Sequence, residues 1–190
     1  LSERVIESLK GCRHDIYSTL GEKCLKSNPF SDVSSLEDCN HEEADTRMMV
    51  HVKAAVEDNC SEVTIRTVDT DVVCLAISVF VDLPYLDKFW VAFGTGAAYR
   101  VLPIHVMSGK LGTLRSRALP MFHSLTGCDT VSSFSNRGKK TGWSVWNSFP
   151  ELTTALLALR SSPASIPSSV LATIERFVIL LYERTSECTD

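Results

Sequence analysis

Between residues 40 and 102 the hydrophobic period of the chain switches repeatedly between that of a helix and that of a strand, and this alternation limits the fold more than any other feature. Ala44, Met48, Val52, Ala55 and Val56 recur at helical spacing and predict an amphipathic helix over residues 40–58. Residues 62–68 are β-branched and bounded by polar positions, the pattern of a buried strand. Residues 70–80 are apolar almost throughout and fit a buried helix or a second strand, which period alone does not separate. Residues 89–93 and 99–102, set apart by Gly94 and Gly96, read as two more strands, followed by helices over 103–110 and 115–125. The chain then predicts helices over 138–146, 151–159 and 167–184, with Pro163 and Pro167 among serines marking a linker. Such an order implies an α/β fold whose mainly parallel sheet is covered by helices.

Upstream, residues 14–20 and 23–27 flank Gly21-Glu22 as the arms of a short hairpin, and a polar loop follows to Asn40. The expected organisation is an N-terminal extension over 1–39, a core over 40–160, and a linker with a C-terminal helix over 161–190. Apolar residues form 44% and charged residues 22% of the 190, values of an ordinary globular chain rather than a disordered one. The longest apolar runs, 72–81 and 177–181, fall short of the roughly 20 residues of a bilayer span, so no membrane partner is expected. Residues 1–10 alternate charged and apolar side chains, unlike a signal peptide, and a first residue other than Met reads as a piece of a longer chain. Seven cysteines without a C-x-x-C pair support neither a disulfide framework nor a zinc ribbon, and favour a reducing compartment, nucleus or cytoplasm.

Acidic residues gather in three short segments: Glu42-Glu43-Ala44-Asp45 at a helix start, Asp69-Thr70-Asp71 where a strand ends, and Gly127-Cys128-Asp129 in a loop after a helix. In open α/β sheets the carboxyl edge of the strands is where ligands bind, and a helix N-terminus accepts carboxylates through its dipole. If these side chains converge, their mutual repulsion calls for a cation, and hard oxygen ligands select Mg²⁺ or Mn²⁺ over zinc. Two such ions are the apparatus of phosphodiester hydrolysis. Each segment also has a purely structural reading. Asn40 and Glu43 stand at capping-box spacing, Asp69 and Asp71 suit a turn and cap, and Asp129 suits a loop cap.

E-A-D at 43–45, T-V-D-T-D at 67–71, L-T-G-C-D-T at 125–130 and R-G-K-K-T at 137–141 resemble, in order and spacing, flap endonucleases and their PIN-like relatives over residues 40–159. The resemblance implies a three-layer α/β/α fold and a metal-dependent nuclease acting on DNA or RNA. Glu43, Asp45, Asp69, Asp71 and Asp129 would then be the catalytic metal ligands for two Mg²⁺ or Mn²⁺ ions. It further implies that residues 134–141 correspond to a helix–two-turn–helix gripping the phosphate backbone, with Gly138 and Lys140 matching. Departures are Asp45 in place of Glu, Thr130 in place of Tyr, and Asn136 in place of the first loop glycine. Relatives supply further Asp ligands from an N-terminal strand, and Asp15, Asp32 and Asp38 lack that setting. Those ligands are expected before Leu1, or else the chain is an inactive PIN-like module that binds nucleic acid or protein.

The formal charge of −4 gives no global attraction to nucleic acid. Arg115, Arg117, Arg137, Lys139 and Lys140, with Gly138, form the densest basic stretch and the candidate phosphate-binding surface, a solvated face being the plain alternative. Residues 138–141 are not a P-loop, because Lys140 stands where Ser or Thr is required. Arg47, beside the acidic start of its helix, is expected to pair with a carboxylate and hold it. Trp143 and Trp146, spaced i, i+3 near Val145 and Phe149, suit the core better than base stacking. His41, His51, His105 and His123 show no ligand spacing and receive no role.

Overall fold

A computed structural model describes residues 2–21, 23–37, 44–129 and 131–187. Along the chain run α1 (Ser2–Ser8), β1 (Tyr17–Leu20), β2 (Lys23–Lys26), α2 (Ser34–Glu37), α3 (Ala44–Glu57), β3 (Glu62–Thr67), α4 (Thr70–Phe80), β4 (Lys88–Phe93), β5 (Arg100–Pro103), α5 (Ile104–Leu111), α6 (Thr113–Leu125), α7 (Lys139–Ser148), α8 (Leu152–Arg160) and α9 (Ser168–Tyr182). The expected start of the α3 helix, with its Asn40–Glu43 capping box, lies outside the described residues.

The segment that period left open is a helix. Asp69 caps α4, its side chain accepting from the Asp71 amide at 2.8 Å, and the helix carries the chain back so that β4 lies parallel to β3. β5 then pairs antiparallel with β4, giving the order β3-β4-β5. The sheet is therefore mixed, not mainly parallel as expected. A parallel return needs a crossover of a dozen residues or more. Only residues 94–99 link β4 to β5, tightened by a 3-10 turn at Gly96–Ala98, so the strand doubles back.

A continuous apolar core joins the sheet to the helices: Ile65 of β3, Val72 and Ala76 of α4, Phe89 and Val91 of β4, Phe122 of α6, Trp146 of α7 and Phe177 of α9 are all buried in it. Trp146 is fully buried, stacks on Phe122 at 4.6 Å and donates from Nε1 to Thr153 Oγ1 at 2.9 Å, so its polar end is satisfied inside. Truncating it costs about 3–5 kcal/mol by the usual loss for a buried Trp.

β1 and β2 form the hairpin foreseen around Gly21, which takes the left-handed φ of 58° that such a turn requires. The hairpin packs with α2 and α3 over a small second cluster of Cys24, Val33 and Leu36. Among the described residues no helix is long and apolar enough to cross a membrane.

Candidate metal centre

The carboxyl end of β3 is shaped by its own residues. Thr67 Oγ1 accepts from the Asp69 amide at 3.0 Å, and Asp69 in turn caps α4, so the turn between strand and helix is held at both ends. Asp71 lies in the first turn of α4, and Asp45 in the first turn of α3, which packs against α4. Both carboxylates thus sit where a helix dipole favours negative charge.

The two helices and the strand end bring Asp45, Asp69 and Asp71 together. One oxygen from each lies within 4.8 Å of the others, and all three side chains are half-buried. At that separation each pair repels by about 3–4 kcal/mol for an effective dielectric near 20, more than a dipole contact of about 0.3–1 kcal/mol returns. Three carboxylate oxygens at this spacing could together hold a metal ion.

A histidine completes the wall. His123 Nε2 of α6 lies 2.6 Å from Asp71 Oδ1, and the His123 side chain is only 11% exposed. Asp45, Asp71, Pro120, His123 and Ser124 line a cleft of about 190 Å³. Pro120 has no amide to give the Ser116 carbonyl, so α6, though continuous through Pro120, lacks one bond of its ladder beside the cleft. Sequence reasoning gave His123 no role, although a signal was available. On α6 it follows Ser116 and Leu119 along the buried face, and a histidine on such a face needs a polar partner on the packed helix.

Glu43 lies outside the described residues. Asp129 is exposed, in a tight turn closed by reciprocal hydrogen bonds between the Cys128 and Val131 backbones, and is not among the gathered carboxylates. Arg47, expected to hold a carboxylate, is buried and donates from Nη2 to the Leu36 carbonyl at 2.9 Å, tying α3 to α2.

The basic stretch is largely occupied by the protein itself. Arg115 donates to Asn147 Oδ1 and to the Trp146 carbonyl, both at 2.9 Å, and lies over the Trp146 ring at 4.7 Å. Arg117 pairs with Asp82, and Arg137 lies over the Tyr182 ring at 5.1 Å. Lys139 Nζ donates to the His123 carbonyl at 2.9 Å and to the Gly127 carbonyl, capping the end of α6. Gly138 is the exposed N-cap of α7, and Lys140 is exposed beside it. Carbonyls at helix ends, ring faces and the Asp82 carboxylate claim Arg115, Arg117, Arg137 and Lys139, a demand invisible in a run of charges.

A thiol also borders the cleft. Burial, then the Asp71 carboxylate, push Cys74 up to about 12, so it stays protonated at neutral pH and is no thiolate nucleophile. Compared with known proteins, the chain matches no family model, no curated protein and no solved structure.

Proposed function

We propose that the Asp45–Asp69–Asp71 cleft is the divalent-cation site of a PIN-like, flap-endonuclease-type hydrolase that cuts phosphodiester bonds in DNA or RNA inside the cell. The observation that carries this reading is the meeting of three carboxylates, from two helix starts and a strand end, within 4.8 Å. When bound there, Mg²⁺ or Mn²⁺ would lower the pKa of a water and neutralise charge on the phosphate. The chain's own part is to fix the ligands: Asp69 through its cap on α4, and Asp71 through His123. Lys140, Gly138 and the Asp129 loop would meet the nucleic acid. Incubating the protein with labelled flap, duplex and single-stranded substrates in Mn²⁺ tests this. Cleavage that EDTA and Asp71→Asn both abolish is expected; cleavage indifferent to Asp71→Asn contradicts it.

A second reading, an inactive PIN-like module that binds nucleic acid or protein, is favoured by the absence of Asp129 from the gathered carboxylates and by the internal pairing of Arg115, Arg117 and Lys139. It predicts no cleavage of any of those substrates and no rise in melting temperature with Mn²⁺.

A further inference from the structure

On the other side of the α4 start lies a larger cavity, about 630 Å³, within the range that holds small organic ligands. It is bounded by α4, β4, β5, α5, α6 and α7 and shares Cys74 and His123 with the acidic cleft. Half-buried apolar side chains, Val73, Met107, Leu111 and Trp143 among them, form most of its wall. Its charged residues are Arg100, Lys110 and Lys139, and no carboxylate lines it.

The cations are not equivalent. Lys139 is spent on the carbonyls at the end of α6. Arg100 and Lys110 are exposed, and among the described residues neither forms an ion pair with a carboxylate. Arg100 lies over the Phe93 ring at 5.2 Å, which orients its guanidinium at the cavity wall without neutralising it. The site therefore offers an apolar body and a doubly positive, unneutralised rim.

From this complementarity we infer that the cavity binds a small organic anion with an aliphatic body, its head group at Arg100 and Lys110 and its chain against Val73, Met107 and Leu111. A nucleobase suits the wall poorly, since its ring donors and acceptors would be buried against apolar carbon at a cost of a few kcal/mol each. The inference stands whether or not the acidic cleft binds metal.

Isothermal titration of the whole chain in EDTA with laurate, decanoate, dodecanol and adenosine monophosphate tests it. Laurate should bind saturably at one site, and decanoate about tenfold more weakly for its two lost methylenes. Dodecanol, lacking the charge, should also bind at least about tenfold more weakly. The exposed double variant Arg100→Glu/Lys110→Glu should cut laurate affinity by about tenfold or more, and Met107→Trp, which narrows the cavity where the chain would lie, should do the same without touching the charges. No saturable laurate binding, equal binding of dodecanol, affinity unmoved by both variants, or binding of the nucleotide in place of laurate would each overturn it.

Discussion

His123 Nε2 and Asp71 Oδ1, 52 residues apart in the chain, meet at 2.6 Å and join α6 to the first turn of α4 beside the gathered carboxylates. The pair leaves the second Asp71 oxygen available to a cation while fixing the direction of the carboxylate, the arrangement by which outer partners tune metal ligands. His123→Ala should therefore lower Mn²⁺ affinity by about 10–100-fold. It should also cost about 1–3 kcal/mol of stability in EDTA, through a half-buried carboxylate left without its partner. His123→Gln, which retains a donor, should recover part of both. Titration calorimetry and urea melts measure the two effects separately, and unchanged Mn²⁺ affinity in His123→Ala would remove His123 from the site.

Lys139 and Lys140 stand side by side yet should behave oppositely. Lys139 Nζ holds the His123 and Gly127 carbonyls, so Lys139→Met should destabilise the fold by about 1–3 kcal/mol. Exposed Lys140→Met should leave stability within about 0.5 kcal/mol. Denaturant midpoints compare them; equal midpoints would mean that the Lys139 contacts contribute nothing.

Gly127 takes a φ of 96°, and a Cβ placed on it would come 2.6 Å from Ser133 Cβ and 2.8 Å from Ser133 Cα. Gly127→Ala thus combines left-handed backbone strain with a clash against the neighbouring turn. A loss of about 1–3 kcal/mol or more is expected, read as a lower melting temperature.

The hairpin carries a pH response. His51 Nε2 lies 3.0 Å from Thr19 Oγ1, and burial, then the Arg47 charge, hold His51 below its ordinary value of 6.5. In the unfolded chain the imidazole takes up its proton near 6.5, whereas in the folded protein it does so only at lower pH. The stability it confers is therefore complete above about pH 6.5 and is lost as pH falls through the lower, folded value. Melting temperature should drop more between pH 7 and 5 in the parent than in His51→Gln. Parallel pH profiles of the two proteins would contradict this.

What could be read in advance divides along a physical line. The helix and strand periods of α3, β3, β4 and α9 are local, and they placed most elements within a few residues. α1 and α2, 7 and 4 residues long, are too short to show a period and were not foreseen. The nature of α4 depended on Asp69 acting as a cap and on β4 returning parallel to β3, both of which are relations between segments. The position of Asp69 and Asp71 at the strand end followed from the D-x-D beside a β-branched run. The partner of His123 and the carbonyls claimed by Arg115 and Lys139 did not, because charge type says nothing of which helix end a side chain will reach.

Calorimetric melting with and without Mn²⁺, for the parent and for Asp45→Asn, probes the gathered carboxylates most directly. A cation held between Asp45, Asp69 and Asp71 stabilises the parent by about 2.7 kcal/mol at one hundred times its dissociation constant. Asp45→Asn, with one anionic ligand fewer, should lose most of the Mn²⁺ response. A parent whose melting temperature is indifferent to millimolar Mn²⁺, or an Asp45→Asn variant that responds as fully as the parent, would contradict a metal centre at this edge of the sheet.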